Sequence, residues 1–141
     1  MNVRAWAIGG AAAAVLTCAA LPAGAELAPA LQQVMESNLA SFNRKDLAGT
    51  MATIHTKSPD YASTQAVLQS QFQDLDVTTK MLDFDLIGHD DEFAVARAKV
   101  QTTGKPGSGF ADNTVDAIMV FHQEGGAWKL WDEDVLGVQI P

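Results

Sequence analysis

Residues 113–134, NTVDAIMVFHQEGGAWKLWDED, decide the fold of this chain. Val115, Ala117, Met119 and Phe121 alternate with Asp116, Ile118, Val120 and His122, the period-two pattern of a strand with two different faces. Gly125 and Gly126 follow, two residues that tolerate positive φ, and Trp128-Lys129-Leu130-Trp131 begins a second alternating run. The pattern predicts a hairpin with Glu124 and Ala127 flanking its turn. In that register Phe121 lies opposite Leu130 on one face and Val120 opposite Trp131 on the other.

The preceding chain supplies the other two strands. Leu82, Phe84 and Leu86 alternate with Asp83 and Asp85, while Ala94, Ala96, Ala98 and Val100 alternate with Val95, Arg97 and Lys99. Folding this pair about Asp90 or Asp91 brings Asp83 and Asp85 near Lys99 and Arg97, charge pairs that contribute roughly 0.2–1 kcal/mol each. Residues 103–112, which include GKPGSG, read as a flexible connection.

Upstream the period is helical. Pro29 suits a first helical turn, and Leu31, Val34, Met35, Leu39 and Phe42 follow at helical spacing to about Arg44. Asp46 is a candidate N-cap for a short helix with Leu47, Met51 and Ile54, weakened by Gly49. Ser58-Pro59-Asp60 marks a turn, since the residue before proline is pushed out of the helical region. Ser63 or Thr64 can cap a third helix carrying Val67, Leu68 and Phe72.

Residues 1–25 read as a secretory leader. Arg4 provides the positive start, residues 6–20 an apolar stretch, and Ala23-Gly24-Ala25 a small-x-small cleavage site. We expect cleavage after Ala25 and a periplasmic or secreted bacterial protein. Thr17 before Cys18 departs from a lipobox, which makes lipidation the lesser alternative. Residues 26–141 then form one domain without cysteine, carrying eight basic residues against seventeen acidic ones. Binding to nucleic acid rests on neutralising phosphates, so neither it nor an anionic membrane surface is an expected partner. His55, His89 and His122 lie far apart in sequence with no ligand spacing, so no metal is expected, and no cofactor is implied.

N-terminal helices, a Pro59-Asp60-Tyr61 corner, another helix, then four long strands with Gly125-Gly126-x-Trp128-Lys129-Leu130 in the last hairpin: this resembles the nuclear-transport-factor-2-like superfamily, also called SnoaL-like or cystatin-like. The resemblance spans about residues 27–140. It implies an α+β fold in which a curved antiparallel sheet of four or more strands wraps around the helices as a cone. The cone's interior holds a ligand pocket in many members. The superfamily includes isomerases, dehydratases and hydrolases, together with binding and oligomerisation modules without activity.

Within this frame the helix-facing side carries Leu82, Phe84, Leu86, Ala94, Ala96, Ala98, Val115, Ala117, Met119, Phe121, Trp128 and Leu130. The four alanines either let helices approach closely, which we expect, or leave room for a ligand. Continued alternation puts Asp132 and Asp134 on the same side, where a carboxylate at the mouth of an apolar cone would have a raised pKa. The alternative is a solvated strand end, its facing reversible by a single bulge. With Asp132, Asp134 and Met119, the candidates for ligand contact are Tyr61 and His55, which flank the 58–60 turn; a Tyr at such a corner more often buries its ring and bonds a carbonyl. Asp60 falls near the region where the resemblance places the base of ketosteroid isomerases, but the surrounding residues do not match that motif.

The outer face would show Ile87, Phe93, Val95, Ile118, Val120 and Trp131, more apolar surface than a solvated sheet needs. Superfamily members commonly dimerise there. We therefore expect a homodimer in contact through Trp131, Val120, Ile118 and Phe93, unless residues 136–140 cover the patch. No catalytic signature is present. The reading is an exported non-catalytic module that binds a small apolar or amphipathic molecule or serves in an interaction. The alternatives are an enzyme with a carboxylate base, Asp132 or Asp60 with Tyr61, and a dimeric scaffold with a filled cone.

Overall fold

A computed structural model describes residues 23–141, with side chains from Glu26 onward. The expected leader and Cys18 lie outside the described residues, apart from the backbone of Ala23 to Ala25. Three helices, α1 (Ala23–Asn43), α2 (Leu47–Met51) and α3 (Tyr61–Asp74), precede four strands, β1 (Val77–His89), β2 (Phe93–Gly104), β3 (Asn113–Glu124) and β4 (Ala127–Gln139). The strands form one antiparallel sheet in the order β1-β2-β3-β4. This is the α+β architecture expected from the change of period near residue 75.

On α1, Leu27, Leu31 and Met35 are buried at a spacing of four, one stripe along the helix. They share a core with Ala94, Ala96, Ala98, Ala117, Met119, Phe121 and Leu130 from the inner face of the sheet. Burying a side chain such as Leu31 or Phe121 contributes about 1.5–3 kcal/mol. The helix begins ahead of Pro29, which therefore lies inside it rather than in its first turn. At its far end Asn43 reaches β1: its amide donates to Thr79 O (2.8 Å), and its oxygen accepts from Thr79 N (2.7 Å). A single side chain thus reproduces a backbone pairing and ties the helix to the sheet.

Asp46 caps α2 by accepting from Gly49 N at 2.9 Å. A Cβ on Gly49 would lie 2.3 Å from that same carboxylate, so the glycine that weakens the helix is what lets its cap close. Helix α3 starts earlier than its candidate caps, at Tyr61, with Asp60 in the cap position but making no side-chain cap bond. Between the two helices the chain docks on the edge of β4. Leu130 N donates to Thr53 O and His55 N to Leu130 O, both at 2.8 Å, and Ile54 forms a parallel bridge with Leu130. The Ser58 hydroxyl donates to Trp131 O at 2.7 Å.

The hairpin at residues 124–127 forms as expected. Glu124 pairs with Ala127 and Phe121 with Leu130, and Gly125 and Gly126 have φ of 59° and 80°, the pair of positive values that a two-residue hairpin of this twist needs. Asp83 opposes Lys99 and Asp85 opposes Arg97, also as expected. The Arg97 guanidinium, however, grips Asp116 across the other neighbour with two bonds of 2.6 and 2.8 Å.

Two expectations of facing fail, each at a register shift. Between Met81 and Asp83 the β1–β2 pairing slips, so Met81 turns inward and packs on the core while Leu82 is 50% exposed. In β4 the shift falls at Trp131: Phe121 opposes Leu130, but Val120 opposes Asp132 rather than Trp131. One extra residue in one strand reverses every side chain beyond it.

Candidate functional site

The inner face of the sheet reads as rows of directly opposed residues. Ala94–Phe121–Leu130 and Ala96–Met119–Glu133 each set an alanine against a large neighbour. In the next row Ala98 opposes Ala117, small against small, with Phe84 and Val135 outside them, and beyond it Val100 opposes Val115. A hole lies over the third row, with Leu130, Met119 and Glu133 of the first two at its border. An open cavity of about 570 Å³ lies there, between the sheet and helices α1 and α3. Its apolar walls include Met35, Leu39, Phe42, Val67, Leu68 and Met119. Hydroxyls and amides of Asn38, Ser63, Thr64, Gln71 and Thr102 break this surface.

Acidic groups gather at one end. The Ser58–Trp131 hydrogen bond holds the turn that carries Asp60 beside the β4 bulge, and Asp60, Asp132 and Glu133 all line the cavity. The bulge decides which carboxylate enters. Glu133 opposes Met119 and faces inward; Asp132 and Asp134 oppose Val120 and Ile118 and share the outer side, with Asp132 at the rim. The expected inward facing of Asp132 and Asp134 is therefore corrected by one residue.

Glu133 is the residue that sequence reasoning missed. Burial pushes its carboxyl above the usual glutamate range, and the charge of neighbouring Asp132 adds to that. Water still reaches the group through the mouth, so it is exposed and yet surrounded by enough protein to lose much of its hydration. No periodicity could have found it, because residues 131–134 offer four polar or amphipathic side chains in a row and no parity signal.

Met119, a candidate for ligand contact, lies in the cavity wall. Tyr61 and His55 do not. Tyr61 opens α3, half-buried, and His55 is 4% exposed on the far side of β4. The His55 ring lies 4.7 Å from His122 and 4.9 Å from Trp131, and Trp131 is also 6.0 Å from Phe93. The histidines read as far apart in sequence are thus brought together by the 53–58 loop. His55 Nδ1 accepts from Lys57 N at 3.0 Å and Nε2 faces Gln123 O at 3.2 Å, which assigns the proton to Nε2. Glu124 clasps the same loop by accepting from the Thr56 hydroxyl and from Thr56 N (3.1 Å), and these bonds hold its carboxyl below the usual range.

Phe93, Ile118, Val120 and Trp131, the residues expected at a dimer contact, are all half-buried. The segment 136–140, considered as a cover for them, instead continues β4 through Gln139, and what packs on Trp131 is the pair His55 and His122. Among the described residues no helix is long and apolar enough to cross a membrane, and no group of three or more His, Cys, Asp or Glu is placed to hold a metal.

The profile of a family described as the C-terminal domain of the anti-sigma-I factor RsgI9 matches residues 33–140. The chain belongs to that family. The match begins inside α1 and runs through the end of β4, so it contains every strand and every residue named in the cavity. No protein of curated function matches the chain in sequence.

Solved structures with the same fold include a protein of unknown function with a cystatin-like fold from Nostoc punctiforme (TM-score 0.65, 9% identity, 82% of this chain and 92% of that one). A ketosteroid isomerase-like protein from Erwinia carotovora atroseptica has a TM-score of 0.60 at 15% identity, covering 79% of this chain and 98% of that one. An NTF2-like protein of unknown function from Pseudomonas putida has a TM-score of 0.66 at 10% identity, covering 79% and 86%. At such identities the likeness is one of fold. The family member described here has the nuclear-transport-factor-2-like, cystatin-like architecture that the sequence resembles.

Proposed function

We propose that the domain is a non-catalytic module that binds a small apolar or amphipathic molecule in the cavity between sheet and helices. The observation that carries this reading is the Ala98–Ala117 row, over which an open cavity of about 570 Å³ lies between the sheet and the helices. That volume lies in the range of sites that hold drug-sized ligands, and an apolar wall with a few polar groups is their usual lining. The family takes its name from a domain of an anti-sigma-I factor.

Nile red, a neutral apolar dye, tests the reading. Its fluorescence should rise with saturable, micromolar affinity on the intact protein and fail to rise on an Ala98→Leu, Ala117→Leu double variant that fills the row. No fluorescence change, together with native mass spectra of protein from its own host showing only the bare chain mass, would rule the reading out.

One observation favours a second reading, an enzyme of the isomerase, dehydratase or hydrolase type. A carboxyl held above its usual range beside apolar walls suits a general base or acid. Glu133 has that property, and Asp60 lines the same space. Export to the periplasm and self-association through Trp131, Val120, Ile118 and Phe93 belong to the same proposal. N-terminal sequencing of the native protein and sedimentation at micromolar concentration test them; a start other than Glu26, or a monomer, counts against each in turn.

A further inference from the structure

The cavity is electrically one-sided. Its lining contains three carboxylates, Asp60, Asp132 and Glu133, and no lysine, arginine or histidine. All three sit at the end where the 58–60 turn meets the Trp131 bulge. From there the inner face continues past Ala98 and Val100 to Thr102, six residues from Ala96 in the Met119–Glu133 row. At ~3.3 Å per residue that is roughly 20 Å of wall. Beyond the acidic end the lining offers only apolar groups, hydroxyls and amides.

We infer that this cavity selects elongated amphipathic molecules whose head group is an amine or a hydroxyl, and rejects those that end in a carboxylate or phosphate. The inference rests on the binding reading above and adds the chemistry of the ligand. An apolar tail fills the space left by the Ala98–Ala117 row, and the head lies between Asp60 and Glu133. Asp60 makes no cap bond to α3, so its carboxylate is not committed there. Glu133 feels loss of water and the charge of Asp132, with no donor to offset either. A cation or hydroxyl donor supplies what both groups lack, whereas an anionic head would be placed against like charge without a basic partner.

Dodecylamine, dodecanol and dodecanoate, each below its aggregation threshold, test the inference by displacing Nile red from the full chain. Dodecylamine should bind tightest and dodecanoate weakest, at least about tenfold apart, the size of one charge-assisted contact. Glu133→Gln and Asp60→Asn, checked for unchanged melting cooperativity, should each narrow that gap. The Ala98→Leu, Ala117→Leu variant, titrated with each probe by calorimetry because Nile red does not report on it, separates the cavity from the acidic surface: the preference for the amine should vanish with the cavity filled, and its survival there would overturn the inference. Equal binding of all three probes, or dodecanoate binding tightest, would overturn the ligand class while leaving the binding reading intact. Failure of Nile red and all three probes to bind would remove both.

Discussion

The two ends of the inner sheet face use the same residue type to opposite effect. Ala94 and Ala96 are fully buried, opposite Phe121 and Met119, and help close the core. Ala98 and Ala117 are almost as inaccessible, at 1% and 4%, yet they border the cavity. An alanine on a sheet is therefore neither a packing residue nor a pocket residue by itself. What stands opposite it across the central β2–β3 pairing decides, because a small side chain beside a large one completes the layer there and two small ones side by side leave its middle short, even with Phe84 and Val135 at the flanks.

The comparison is open to attack at three places. The largest effect should come from the filled end: Phe121→Ala should cost ~3–5 kcal/mol by chemical denaturation, and more than Trp128→Ala, since Trp128 is only half-buried. Equal losses would mean that the core does not centre on the Phe121 row. Next, one enlargement should act oppositely at the two ends. Ala96→Leu should destabilise by ~1–3 kcal/mol through overpacking, whereas Ala117→Leu should be neutral or stabilising because it enters empty space. A penalty of the same size at both would show that the third row is filled after all.

The smallest effect concerns Glu133 and has a definite sign. Its folded-state pKa lies above the unfolded value, so folding favours the protonated form; that contribution is complete below the unfolded pKa and is lost as pH rises through the raised one. Glu133→Gln should therefore gain melting temperature relative to the native chain as pH climbs from about 4.5 toward neutrality, then hold a constant margin. Asp116 and Glu124 are shifted the other way by their partners, so their contribution is present at neutral pH and fades in acid below that window. A margin independent of pH would mean that Glu133 points to bulk water.

Much of this molecule was legible in the chain, and what was not has a common cause. The hairpin turn, the Phe121–Leu130 register, the opposition of Asp83 and Asp85 to Lys99 and Arg97, and the Asp46 cap all follow from local chemistry: positive φ at two glycines, alternation, and an oxygen near a free N–H. Leu82, Asp132 and Asp134 were misplaced because a bulge is one residue of extra chain that alternation cannot register, and each bulge reversed the parity beyond it. The cavity lay one step further off. Its hole depends on Ala98 opposing Ala117, a pairing between different strands, and its helical wall on how α3 leans, which no periodicity in Ser63, Thr64 or Val67 records. Tyr61 and His55 show the converse. They flank the right turn, but the chain passes around the edge of β4 there and carries His55 to the opposite face.

The Trp131 bulge turns Glu133 into a partly dry cavity. A direct measurement is the pH titration of the Glu133 side-chain carboxyl carbon by NMR, assigned by loss of its signal in Glu133→Gln. The account predicts a midpoint above the ordinary glutamate value, and one that moves when Nile red occupies the cavity. A midpoint at the ordinary value, unmoved by the dye, would contradict it.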